Sequence, residues 1–318
     1  MNYPKEPSKK VFIRATVCVI VAFSILWINE KNIDKESVYK PEYDRIDLDS
    51  ILEKVSDVGS FEGEEVNKNN PIKLTENDYK VLFEQTGLGR SAVDYILEND
   101  KDYISSIKNR QKIFFDGYPY TCVKIGLVTY NERMRDVYGK KLKGYKLVDL
   151  RPGDVLVSLS THTLGYRHGH CGIVVDAPKK GKEAKTLEAV YWGEPTEYQT
   201  TGKWRSCPTL VHLRISKESA ESMGYTVEEL GKLLAECAEK DGADVQYALL
   251  PELYNKNESD GMKRTHCSHL VWYVYNKFGF NIDSDGGAIV TPYDIAASDL
   301  FDIVQIYGVN PNFGRNTE

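Results

Sequence analysis

The sequence predicts an α+β protein: an antiparallel sheet or small barrel packed on helices, preceded by a small helical region and an amino-terminal transmembrane helix. Three observations predict it. Residues 11–28 are almost all apolar. Helical spacing interrupted by glycines marks residues 71–148. From Gly153 onward, short runs rich in β-branched and aromatic residues alternate with Gly, Pro, Lys and Asn breakers, and two helix-spaced stretches follow.

The apolar run contains Arg14, Thr16 and Ser24 and follows Lys5, Lys9 and Lys10. It is long enough to cross hydrocarbon, which takes about 20 residues, if Arg14 snorkels to the headgroups. Positive charge before it and acidic residues after it place the amino terminus in the cytoplasm and the rest outside. A cleaved signal peptide is the competing reading, but Trp27, Ile28 and Asn29 stand where small residues would precede a cleavage site. Residues 1–29 are therefore expected to form a signal anchor, with the chain single-pass in the cell membrane and its folded part extracellular. Apolar residues on all sides of the run argue against a buried amphipathic helix.

Residues 30–70 are rich in Asp, Glu, Lys and Asn. They hold too little apolar surface to offset ordering entropy and read as a stalk or linker, with a short helix near residues 51–55. In the accessory region, 71–148, Thr75 is expected to cap a helix carrying Tyr79, Leu82 and Phe83. Gly87 and Gly89 break that helix, and Ser91 is expected to cap a second one with Val93, Ile96 and Leu97. Two helices around a glycine turn also fit a nucleic-acid contact. A formal charge of −6 and a pI near 5.7 oppose it, so no nucleic-acid partner is expected.

The third region, 149–310, carries the sheet. Strands are predicted over 154–160, 170–176, 186–192 and 210–215, and helices over 226–240 and 266–278, the last ended by Gly279. Close spacing of the strands implies antiparallel pairing. The six cysteines contain no CxxC pair, so most read as buried thiols; a Cys122–Cys207 bridge is left open because the expected compartment can be oxidising.

The chemistry concentrates in two segments. Cys267 opens a helix for which Thr265 is the expected cap, so its thiol faces free backbone N–H groups and the positive end of the dipole. That position favours a thiolate, although a buried structural cysteine is the commoner role for the residue type. His170 opens a strand between Gly169 and Gly172. Alternation puts His170, Gly172 and Val174 on one face and Cys171, Ile173 and Val175 on the other. A third group should accept the second ring N–H, and Glu188, near the start of the next strand, is the candidate; a solvent-facing glutamate is the alternative.

These pieces resemble the circularly permuted NlpC-type papain-fold hydrolases of the YiiX/YebB-like kind. The residues that carry the resemblance are Arg151-Pro152-Gly153-Asp154-Val155-Leu156, Gly169-His170-Cys171-Gly172-Ile173-Val174, Leu187-Glu188-Ala189, Cys267-Ser268-His269-Leu270-Val271-Trp272, and Pro292 with Asp294 and Ile295. The order histidine strand, acidic strand residue, cysteine helix is the reverse of ordinary papain. The resemblance covers roughly residues 150–307. It implies a permuted papain-like domain with Cys267 as nucleophile, His170 as base and Glu188 as orienting acid. Cys171 and His269 depart from it, standing where such proteins have an aliphatic or small residue and an acidic one.

The implied reaction is acyl transfer through a thioester, without a cofactor. The expected extracellular position makes cell-wall peptide the first substrate class and lipid esters the second. Two rival readings stand beside it. One is a zinc site built from His168, His170, His266, Cys267 and His269, which the divergence of residues 266, 267 and 269 around a helix opposes. The other is a wall- or lipid-binding module without catalysis.

Overall fold

A computed structural model describes residues 38–56, 74–117, 121–125, 129–163, 166–179, 182–249 and 261–313, with positions 16, 17, 20, 21 and 24 of the apolar run. In chain order the helices are α1 (Asp49–Ser56), α2 (Glu76–Thr86), α3 (Arg90–Asn99), α4 (Tyr103–Asp116), α5 (Lys217–Ser222), α6 (Val227–Gly242), α7 (Cys267–Asn276) and α8 (Pro292–Ala297). The strands are β1 (Thr121–Ile125), β2 (Thr129–Arg135), β3 (Val155–Ser158), β4 (Thr161–Thr163), β5 (Tyr166–Arg167), β6 (His170–Asp176), β7 (Lys185–Glu188), β8 (Glu197–Thr200), β9 (Leu210–Ile215), β10 (Gln246–Tyr247), β11 (Arg264–Thr265) and β12 (Phe301–Tyr307).

The protein is α+β. Six strands in the order β12-β9-β3-β6-β7-β8 pair antiparallel throughout, forming an open sheet rather than a barrel. A second antiparallel sheet runs β1-β2-β4-β5, and β10 pairs with β11 in parallel.

Strand alternation divides the interior into two layers. Val155, Val157, Cys171, Ile173 and Val175 face Leu230 and Leu234 of α6 and Leu270, Val271 and Val274 of α7. Leu156 and Val174 face Met134, Tyr145 and Trp204 on the other side. Helix α7 is buried all round from Cys267 to Tyr275, not along one stripe, because the sheet, α6 and α8 enclose it.

Described parts of the regions before residue 149 are built into this body. Strand β2 pairs with β4, so the second sheet crosses the boundary expected at 148/149. Helices α2 and α3 meet β12 through backbone bonds from Gly89 N to Val304 O and from Ile306 N to Gly87 O. Part of the expected stalk is packed: Leu48, Ile51 and Leu52 are buried with Leu82 and Val93, and Gln111 Nε2 donates to Ile46 O at 2.8 Å. The polar composition of 30–70 averages over this short apolar piece and conceals it.

Local details correct several expectations. Strand β7 ends at Glu188 instead of 192, because the chain turns at residues 191–194. Helix α3 begins after Gly89 without a side-chain cap, so Ser91 lies inside it, whereas Thr75 and Asp78 form a full capping box on α2. Cys207 is a free thiol that Arg133 Nη1 approaches at 2.7 Å, so the bridge to Cys122 is not formed. Most of the apolar run lies outside the described residues; among the described residues no helix is long and apolar enough to cross a membrane.

Candidate active site

The site lies where β6 and β7 meet the first turn of α7. His170 opens β6, and its Nε2 lies 2.6 Å from Glu188 Oε2. Ile173 is opposite Leu187, which brings Glu188 beside Gly172 one step along the pair. The close fit needs glycine there: a Cβ at 172 would lie 2.6 Å from Glu188 Cγ. Gly169 has φ +81°, and a Cβ on it would lie 2.9 Å from Ser158 O and 3.2 Å from Pro292 Cβ. The two glycines that frame His170 therefore let the acid and α8 close on the histidine from either side.

Glu188 is fully buried and saturated. One oxygen meets His170 and the Lys203 ammonium; the other accepts from Trp204 Nε1 at 3.1 Å and from the Thr186 hydroxyl. Burial alone would raise its carboxyl, but the Lys203 charge and the His170 hydrogen bond outweigh it and hold the pKa at about 2. Trp204 also stacks on the imidazole, ring centroids 5.5 Å apart at 13°. Acid and indole together fix the ring, with Nε2 committed to Glu188.

Cys267 is the first residue of α7 and 6% exposed. Its helix is capped by His266, whose Nδ1 accepts from His269 N at 3.3 Å. Thr265, the expected cap, instead bonds the ring of His269 at 3.0 Å. The neighbours that act on the ionisation of the Cys267 sulfur are Cys171, His170 and His266. Cys171 is the largest influence; with the two histidines and the His170 charge it overcomes burial and holds the thiol well below its ordinary pKa. Burial lowers the basicity of His170, but Cys267 and Glu188 prevail and raise it. Cys171 goes the other way: burial, then the proximity and charge of Cys267, push its thiol far up, so it stays protonated. A thiolate beside an imidazolium is the state these environments favour.

The structure thus brings together the three residues singled out from the sequence. Cys171, Lys203, Trp204 and Thr186 join them without having been assigned to the site by sequence reasoning. Thr186 shares the Glu188 face by alternation and is legible in principle; Lys203 and Trp204 sit in a 3-10 turn, Thr201–Ser206, which has no periodic signal.

The zinc arrangement is not assembled. His170 Nε2 is committed to Glu188, His266 Nδ1 to the helix cap, and His269 Nδ1 to Thr265. Among the described residues only Asp283, Asp285 and Asp294 place three such ligand atoms within 4.8 Å of one another. A cavity of about 200 Å³ between Arg151–Asp154 and α6 lies at the opposite end of β3 from the site, and none of the site residues lines it. Tyr166 in β5, Tyr191 and Trp192 just after β7, and Tyr293 in α8 are exposed.

No family model matches the chain, and no curated protein matches it.

Proposed function

We propose that the protein is a cysteine hydrolase that cleaves an amide bond, in cell-wall peptide, from a position tethered to the outer face of the cell membrane by residues 11–28. The observation that carries the proposal is the placing of a thiol at a helix amino terminus, Cys267, beside a histidine, His170, whose Nε2 is held by the buried Glu188. The residues that resemble permuted papain-fold NlpC-type hydrolases, in the order histidine, acid, cysteine, support the same reading.

In this mechanism the Cys267 thiolate attacks the carbonyl carbon, forming a C–S bond and an oxyanion. The Cys267 backbone N–H, in the first turn of α7, is one of the amides a helix leaves without an internal acceptor, and it donates to that oxygen; such a donor is worth about 3 kcal/mol. His170, as imidazolium, passes its proton to the leaving amine, and the C–N bond breaks to give a thioester. The neutral ring then takes a proton from water as it attacks, releasing acid and restoring the thiolate. Glu188 remains ionised and keeps the ring in register.

A lipid ester is the second substrate reading, favoured by the exposed aromatic residues Tyr166, Tyr191, Trp192 and Tyr293 on elements that adjoin the site strands and α8. The test is to incubate the full chain in detergent with cell-wall peptide fragments and, separately, with phospholipid, beside Cys267→Ala. New amine ends from the peptide only with the wild type support the proposal. Fatty-acid release alone moves the assignment to the lipid reading, and equal turnover by Cys267→Ala, or none by either protein, overturns it.

A further inference from the structure

Hydrolysis uses one thiol, yet two meet at the site. Cys171 points from β6 into the layer occupied by α7, on the opposite face of the strand from Val174. Cys171 and Cys267 belong to the same buried cluster, and Cys171 is the neighbour with the largest influence on the Cys267 sulfur. Cys171 has no exposed surface, whereas Cys267 has a little. Peptide hydrolysis does not need a second thiol there, and an aliphatic residue would fill the same volume.

We infer that Cys171 and Cys267 form a reversible modification site, closing to a disulfide when a hydroperoxide oxidises Cys267. Burial and ionisation fix the order of events. Of the two, Cys267 alone is both reachable and thiolate, so it attacks the peroxide oxygen. An S–O bond forms, the O–O bond breaks, and the released hydroxide or alkoxide takes a proton; Cys267 is oxidised by two electrons to a sulfenic acid.

Cys171 then attacks the Cys267 sulfur. The S–S bond forms, the S–OH bond breaks, and the proton of Cys171 leaves with the hydroxide as water. The net change is two thiols plus hydrogen peroxide to one disulfide plus two waters. Loss of the negative charge on Cys267 removes one of the causes that hold Cys171 protonated, so Cys171 becomes a nucleophile when the sulfenic acid appears. A dithiol reductant reverses the bond. The disulfide withholds the nucleophile and protects it from irreversible oxidation to sulfinic and sulfonic acids.

The consequence for activity rests on Cys267 being the catalytic nucleophile, but the disulfide itself does not, and mass spectrometry reads it without any turnover. Reduced full chain is exposed to hydrogen peroxide, its free thiols are blocked, and the peptides are mapped. The expected product is a crosslink between the peptides carrying residues 171 and 267, lighter by two hydrogens and released by dithiothreitol. In Cys171→Ala, Cys267 should proceed to the sulfinic acid, and dithiothreitol should recover at least about fivefold less free thiol than in the wild type. Cys171 in Cys267→Ala should resist peroxide. Sulfinic acid at Cys267 of the wild type with Cys171 still free to alkylate overturns the inference, whether or not Cys171→Ala folds. Equally ready oxidation of Cys171 in Cys267→Ala overturns the proposed order. A crosslinked protein that hydrolyses nothing when reduced would leave this inference standing and remove the hydrolase reading.

Discussion

The sheet holds buried histidine–carboxylate pairs at both ends, and they differ in what each ring meets on its other side. At the β3 amino end, Asp154 accepts from His212 Nε2 at 2.7 Å, from Arg214 at 2.8 Å and from the Arg151 backbone at 2.8 Å, and Arg214 also holds Asp149. At the other end Glu188 holds His170. In both, burial raises the carboxyl but cationic neighbours outweigh it. His212, however, is fully buried, whereas His170 meets a helix-terminal thiol and retains some exposure. A carboxylate-bound histidine is thus a structural device at both ends, and chemistry enters where a nucleophile lies beside the ring.

The largest effect that sharpens this contrast is Cys267→Ala, which should reduce turnover by about 10⁴-fold or more while the unfolding transition stays cooperative. Next is a paired comparison. His170→Ala should slow alkylation of Cys267 at pH 7 by up to about 30-fold, the limit set by a thiol of ordinary pKa, near 8.5, which is only about 3% ionised there; Cys171 and His266 remain beside the sulfur. His212→Ala should leave that rate within about twofold, because the sites share no partner, yet lower stability by about 3 kcal/mol as Asp154 loses a buried partner. Equal loss of thiol reactivity in both variants would break the distinction.

Glu188→Gln probes the acid. Its carboxyl is held at about 2 against an ordinary 4.5, so its stabilisation is complete above pH 4.5 and disappears as pH falls towards 2. Chemical denaturation across that window should show the variant losing less stability on acidification, by at most about 3 kcal/mol. Activity should fall by about 10²-fold through lost orientation. The smallest effect expected is from Trp204→Phe, which keeps a ring against His170 but removes the Nε1 bond to Glu188. It should cost about 1 kcal/mol, read as an alkylation rate lower by about fivefold.

How much of this is legible in the sequence varies with the physics. The His170 strand, the Cys267 helix and the faces of residues 170–175 follow from period-two and helical spacing, which local sterics enforce. Glu188 is reachable because its strand neighbours the His170 strand. The accessory sheet escapes such rules because β2, whose sequence is Thr-Tyr-Asn-Glu-Arg-Met-Arg, buries Tyr130, Glu132 and Met134 together: its buried face includes a carboxylate that only tertiary partners such as His162 make tolerable. Lys203 and Trp204 reach Glu188 from an aperiodic turn, so no spacing rule points to them. Thr265 is the better cap by residue preference, but His269 occupies its hydroxyl and His266 takes the role.

The central claim is that the His170 ring, together with Cys171 and His266, holds Cys267 as a thiolate. Its most direct test is the pH dependence of Cys267 alkylation by iodoacetamide, read by peptide mass in the wild type and in His170→Ala. The claim predicts wild-type labelling that persists below neutral pH and a curve for the variant displaced upward towards that of an ordinary thiol. A wild-type curve that already follows an ordinary thiol, or one that the substitution leaves in place, would contradict it.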